Sequence, residues 1–320
     1  MKGFLFVPDL SKKSGLGHLH RCLKYSHFVS KKYKIIFLIK KNYKKNIAKI
    51  GFNKKIKFFF YTNLENSLKK IKKKYEHFSV FVDSYNLKIH NINYKKFSKQ
   101  HIVVLDNKIK TNADQIINHT FGLNNNFYNY LNNKKKISVG LKNFPITNKI
   151  KIKKKDTILI NFGTTNDISL IKNSLIFLNK LNLNKNLKIV IISRFFSNNN
   201  INNLILRNKI KHFKYVKNIN QIYEKTFFSF GACGISLYEK SFFKIPTIAI
   251  CAAKNQVYNF KNFYSKGCIM NFNTVINMNL RYKNSKNTFL NNLRSVKKKL
   301  RKYFFINKNI QHLKNIFKNC

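Results

Sequence analysis

The sequence predicts an α/β protein of two Rossmann-like domains facing each other across a cleft. Three observations carry this. Short continuous apolar runs alternate with amphipathic stretches along the chain, the pattern of parallel strands covered on both faces by helices. The alternation breaks once, over the basic, Pro145-containing stretch Lys142–Lys155, and then restarts. The scarce acids and glycines, ten of each in 320 residues, gather just past the apolar runs. Asp9, Asp83, Asp106 and Asp167 stand there, as do Gly15, Gly17, Gly163, Gly231 and Gly234. Open parallel sheets bind ligands beyond the carboxyl ends of their strands. A helix cap or a turn is the better account of any one of these residues and a weaker account of the set.

The first domain is assigned residues 1–145. Its expected strands are Gly3–Val7, Ile35–Ile39, Ile56–Tyr61, Ser79–Val82, Ile102–Leu105 and Gln115–Ile117. Helical spacing falls on Leu19–Lys31, Tyr43–Ile50, Leu64–Tyr75 and Tyr94–Lys99. Residues Asn124–Asn133, rich in Asn and holding Tyr128 and Tyr130, read as an irregular surface excursion. The second domain, 146–320, runs strand Thr157–Phe162, loop Gly163–Asp167, helix Ile168–Leu181 and strand Leu187–Ile192. A helix near Ile201–Asn208, a short run His212–Val216 and helix Ile219–Lys225 follow. Then come strand Phe227–Phe230, helix Ile235–Phe243, strand Thr247–Cys251 and helix Val257–Lys266. Two basic helices over about Thr288–Lys318 close this domain.

With 44% hydrophobic residues a sizeable core is possible despite a net charge of +54. That charge suits a nucleic-acid or anionic-surface binder. However, the lysines are scattered through every segment, and Lys, Asn, Ile, Phe and Tyr all have codons rich in A and T. Coding bias is therefore the better account, and no nucleic-acid motif is present. A basic surface still favours a phosphorylated substrate. No apolar run reaches the ~20 residues a membrane helix needs. One Lys and a short apolar run leading into a Gly loop do not read as a signal peptide. Five cysteines without paired spacing point to a reducing, cytoplasmic setting and to no zinc site.

The most informative stretch is Ser14-Gly15-Leu16-Gly17-His18-Leu19-His20-Arg21-Cys22-Leu23, between the first strand and the first helix. Its glycines allow a tight turn close to a ligand. The unpartnered first-turn amides of the helix favour an anion. His18 stands at that mouth, where an imidazole can exchange a proton with substrate, and Arg21 lies one turn further on. Asp83-Ser84-Tyr85 ends a strand with a carboxylate and a phenol able to bind a sugar; an Asp cap with a packed Tyr is an equal alternative. Asp106, Asp114, Asn118 and His119 are weaker candidates of the same kind. In the second domain, Gly163 and Thr164 suit a phosphate or sugar contact or an ordinary turn. Phe230-Gly231-Ala232-Cys233-Gly234-Ile235-Ser236-Leu237-Tyr238-Glu239 is the strongest signal there. Amides near Gly234, Ile235 and Ser236 can hold a diphosphate. Glu239 can hold ribose hydroxyls or simply pair with a lysine, and Asn255-Gln256 can serve sugar hydroxyls or a base edge. Cys233 lacks a base partner and reads as a small packing residue. His20, His27, His77, His90, His101, His212 and His312 have no ligand spacing.

Together, Gly15-x-Gly17-His18-x-x-Arg21-Cys22-Leu23, Val82-Asp83-Ser84-Tyr85, the Gly231–Glu239 turn, Pro246 and Asn255-Gln256 resemble a known family. It is the UDP-sugar hydrolase of pseudaminic acid biosynthesis, which acts on UDP-2,4-diacetamido-2,4,6-trideoxy-β-L-altropyranose. Spore-coat polysaccharide proteins and MurG-type glycosyltransferases are broader relatives. The resemblance spans roughly residues 3–270. It implies a GT-B fold, UDP held by the second domain, the sugar in the interdomain cleft, and inverting hydrolysis at the anomeric carbon. It makes His18 the catalytic base and Tyr85 and Asn255 substrate contacts, with no cofactor or metal to carry over. The runner-up is a GT-B glycosyltransferase using a UDP-sugar donor. Two departures from the family pattern stand out. Val7 precedes Pro8-Asp9 where the family often carries an Arg, and Thr164 replaces a second Gly.

Overall fold

A computed structural model describes residues 2–10, 17–29, 31, 33–44, 56–75, 77–104, 110–131, 136–147, 153–163, 167–183, 186–197, 208–280 and 283–318. The expected helices at Tyr43–Ile50 and Ile201–Asn208 fall largely outside them, as do Gly15, Asp106 and Thr164. The chain divides into two compact units, Met1–Thr147 with Asn307–Cys320, and Asn148–Ile306.

In the first unit the elements run β1 (Lys2–Pro8), α1 (Gly17–Ser26), β2 (Lys34–Lys40), β3 (Lys57–Tyr61), α2 (Leu64–Lys74) and β4 (His77–Asp83). The short helix α3 (Leu87–His90), β5 (Gln100–Val104), β6 (Gln115–Asn118) and β7 (Lys136–Val139) follow. The seven strands form one sheet, ordered β3-β2-β1-β4-β5-β6-β7, with every pairing parallel. Strand β1 shows why its run is continuously apolar. Alternate side chains point to opposite faces, and both faces are covered. Leu5 and Val7 pack with Ile36, Val80, Val82 and the Leu64, Leu68 and Ile71 stripe of α2. Phe4 and Phe6 pack with Phe37, Phe81 and the Leu19, Cys22 and Tyr25 stripe of α1. Helix α2 starts where Asn63 accepts from the Asn66 amide at 3.1 Å.

The second unit runs β8 (Thr157–Asn161), α4 (Ile168–Leu181), β9 (Lys188–Ile192), β10 (Ile210–Phe213), α5 (Asn220–Lys225) and β11 (Thr226–Ala232). Then come α6 (Ile235–Phe242), β12 (Thr247–Ile250), α7 (Val257–Ser265), β13 (Met270–Asn271), α8 (Phe272–Ile276) and α9 (Lys283–Tyr303). Its six strands pair in parallel in the order β10-β9-β8-β11-β12-β13. Helix α4 matches the sequence expectation at both ends. Asp167 caps it by accepting from the Ser169 amide at 2.9 Å, and Asn182 ends it at a φ of 47°.

One expectation is corrected. The basic tail does not stay together on the second domain. Helix α9 belongs to the second unit, but the last helix, α10 (Ile306–Lys318), packs on the first. Its Leu313 and Phe317 are fully buried in the core that holds Phe4, Tyr25 and Phe81. Burying two such side chains contributes about 1.5–3 kcal/mol each. Asn309 adds a bond from its amide to the Leu141 carbonyl at 2.6 Å. The irregular segment around Tyr128 is largely exposed, as expected, but it is pinned to the sheet. Tyr128 is buried, and its hydroxyl accepts from the Asn118 side-chain amide at 2.7 Å. Among the described residues, no helix is long and apolar enough to cross a membrane.

Candidate active site

Parallel pairing places the ends of β1 and β4 side by side, with Pro8 opposite Asp83. The Asp9 amide donates to the Asp83 carbonyl at 2.8 Å. The Asp9 carboxylate accepts from the Tyr85 amide at 3.2 Å and the Ser84 hydroxyl at 3.4 Å. Asp9 therefore builds the turn after β4. Asp83 itself turns to the first helix. Its side chain is fully buried and receives a side-on fork from Arg21, Nε to Oδ2 at 2.6 Å and Nη2 to Oδ1 at 2.5 Å. His18 Nδ1 lies 2.5 Å from the same Oδ1. Residues 18 and 21 are one helical turn apart, so one face of α1 delivers both to one carboxylate.

This geometry fixes the tautomer. A lone pair on Nδ1 would face a carboxylate oxygen at 2.5 Å, which is repulsive, so Nδ1 carries the hydrogen and donates. Nε2 is then the ring's acceptor. The Tyr85 ring meets the imidazole edge-on at 4.6 Å. Burial opposes ionisation of Asp83, but Arg21 and His18 outweigh it and hold the carboxyl well below the usual carboxylate range. The second arm of the guanidinium, Nη1, reaches His119 Nε2 at 3.4 Å, just past the end of β6. His18, Arg21, Asp83, Tyr85 and His119 thus come together from two strand ends and one helix. Gly17 is the first residue of that helix. Asp114 is excluded. It lies at the opposite end of β6, accepts from the His101 amide and pairs with Lys95.

In the second unit, β11 delivers the 231–236 turn. The Cys233 amide is already engaged by the Ile250 carbonyl at 3.1 Å and the Gln256 side chain at 3.2 Å. Gln256 Oε1 also accepts from the Ala252 amide at 3.1 Å, so it ties the two strand-end turns together. Gly234, Ile235 and Ser236 stand at the start of the eight-residue helix α6, where first-turn amides lack intrahelical partners. Glu239 lies further along α6, with one oxygen held by the Tyr223 hydroxyl at 3.1 Å. Asn255 is exposed on a short 3₁₀ turn. Gly163 sits at a φ of 76°, exposed, with its amide bonded to the Asn161 side chain at 2.9 Å. Burial pushes the Cys233 thiol up to about 12, which suits its reading as a packing residue. Among the described residues no cluster of His, Cys, Asp and Glu could hold a metal ion.

No protein-family model matches the chain, and no curated protein matches it either. Solved structures do. UGT2 of Phytolacca americana, complexed with UDP-2fluoro-glucose and pterostilbene, superposes at a TM-score of 0.66 with 8% identity, covering 94% of each chain. MurG of Acinetobacter baumannii gives 0.60 at 12% identity, covering 100% of this chain and 99% of that one. A transferase of Siraitia grosvenorii in complex with UDP gives 0.65 at 8% identity, with coverage of 100% and 99%. The chain has the GT-B fold.

Within this GT-B chain the residue that sequence reasoning missed is Lys240. It is one of 64 lysines and arginines, and nothing in its spacing marks it. Its side chain is fully buried on α6. Gly231 is the counterpart. A β-carbon there would meet the Lys240 amine and lie 2.6 Å from the Asn161 carbonyl oxygen. Backbone cannot step aside cheaply, so Gly231→Ala is expected to destabilise the second unit by about 1–3 kcal/mol. Denaturant unfolding is the check, and an unchanged midpoint would contradict the contact.

Proposed function

We propose that this chain is an enzyme that transfers the sugar of a UDP-sugar to a hydroxyl acceptor. The observation that carries this is the Asp83-held His18 at the carboxyl edge of a GT-B first-unit sheet. His18 Nε2 takes the acceptor hydroxyl proton as that oxygen attacks the anomeric carbon, and such a base contributes about 10²–10⁴-fold in rate. The bond from that carbon to the phosphate oxygen breaks, and its electron pair leaves with UDP. The amides of Gly234, Ile235 and Ser236 stabilise the departing diphosphate. Glu239 holds the ribose, and Tyr85, Asn255, Gly163 and Thr164 contact the sugar. Asp83 stabilises the imidazolium that forms, and Arg21 keeps Asp83 ionised. The likeness to UDP-bound glycosyltransferase structures supports transfer.

A second reading, hydrolysis, is favoured by the Gly15-x-Gly17-His18-x-x-Arg21-Cys22-Leu23 motif and its resemblance to the pseudaminic acid pathway hydrolase. Water then replaces the hydroxyl with the same residues in the same roles.

An NMR time course with a panel of UDP-sugars, including UDP-2,4-diacetamido-2,4,6-trideoxy-β-L-altropyranose, separates the two. UDP release that requires an added hydroxyl acceptor is the expected result. UDP and free sugar formed without acceptor would establish hydrolysis instead. A protein that neither binds UDP nor turns over any UDP-sugar would overturn both readings.

A further inference from the structure

The most anomalous group in the molecule is the Lys240 ammonium. It is fully buried and has no hydrogen-bond partner among the described residues. An unpaired buried cation is costly, and native chains keep one only where something compensates. The chain has only ten acids. The nearest, Glu239, precedes Lys240 on the same helix and already accepts from Tyr223.

The helix explains where the amine points. Side chains on an α-helix lean back toward its N-terminus. The Lys240 stem covers about one helical turn in that direction. Accordingly, the amine arrives against Gly231, in the space a β-carbon would occupy, directly behind the 231–236 turn. Only glycine at 231 leaves that space open. Two independent features therefore converge on one spot, the first-turn amides of α6 in front and a buried cation behind.

We propose that Lys240 is the buried counter-charge for the diphosphate of the nucleotide, a positioning residue that acts through the 234–236 turn without touching the ligand. This rests on the assignment of that turn to UDP. In the free protein the cation lacks its anion; when the diphosphate docks, the two charges attract across a low-dielectric layer that water does not screen. Burial brings the free amine down to about 8, against the raising influence of Cys233 on the turn and Glu239 on its own helix. Near pH 8 the free amine is therefore partly deprotonated, and docking the diphosphate draws in a fraction of a proton. The phosphate does not supply this signal, because its second ionisation, near pH 6, is complete there.

The test measures UDP binding by calorimetry at pH 8 in two buffers of different ionisation enthalpy, with uridine binding followed by NMR. Wild type is expected to take up a fraction of a proton with UDP. Lys240→Met is expected to bind UDP about tenfold more weakly, to take up no proton, and to bind uridine as wild type does. Equal UDP affinity and equal proton uptake in the two proteins would overturn the proposal. So would equal weakening of uridine and UDP, which marks general damage to the site. Should Lys240→Met fail to fold, wild-type proton uptake followed from about pH 7 to about pH 10 decides, and its absence throughout overturns the proposal. Wild type that binds no UDP at all would instead remove the nucleotide assignment itself, and this inference with it.

Discussion

His18→Ala is expected to lower turnover by about 10²–10⁴-fold while leaving UDP affinity unchanged. The split follows from where the groups sit. His18 is 4% exposed, and its Nδ1 is committed to Asp83, so Nε2 is what the ring offers a substrate. The amides assigned to the diphosphate start α6, in the other compact unit. Removing the imidazole leaves the Arg21 fork on Asp83 intact, so the buried charge stays balanced and the first unit keeps its fold. Single-turnover kinetics and UDP calorimetry on the variant check this together. Near-normal turnover would remove the base role. Turnover and UDP affinity falling together would make His18 a nucleotide contact instead.

The strand cores were legible because strands buried on both faces must be apolar throughout, as Phe4-Leu5-Phe6-Val7 is. Strands β7 and β13 were not. The first is a half-exposed edge strand, and the second is two residues long, so neither carries an apolar run. The placement of α10 was hidden for another reason. An amphipathic stripe says that a helix packs, not which unit it packs on, and Leu313 and Phe317 pack on the first.

The site divides the same way. His18, Arg21 and Asp83 could each be singled out, since a Gly loop before a helix and an acid at a strand end are local patterns. That His18 and Arg21 share one carboxylate 62 or more residues away depends on β1 and β4 being neighbours, which no local pattern encodes. Gln256 stood out because two adjacent amides follow a strand, but the bonds its Oε1 accepts from the Cys233 and Ala252 amides depend on β11 and β12 being neighbours. Lys240 differs from the other lysines only in its burial, a property of the packed chain.

Asp83→Asn is expected to cost the first unit about 3–5 kcal/mol of stability at neutral pH, because it strands the Arg21 charge in the interior. The change is nearly isosteric, so cavity formation does not contribute. Arg21 is 2% exposed and cannot discharge by losing a proton. An asparagine oxygen in the place of Oδ1 can still accept from Arg21 Nη2 and His18 Nδ1, but its amide then points a donor at the Arg21 Nε donor. The pH dependence isolates the charge. Asp83 ionises well below the usual carboxylate range in the folded chain, so the folded state holds fewer protons there than the unfolded one. Its contribution is complete above an ordinary carboxylate value of about 4 and is lost as pH falls from there through the depressed folded value. Wild type should therefore lose stability on acidification below that range. The asparagine variant lacks this component, and its deficit should narrow as the pH drops. Hydrogen exchange of β1 and β4 reads the first unit separately from the second. A deficit that stayed constant from neutral to acid pH would mean that Asp83 acts through packing rather than through its charge.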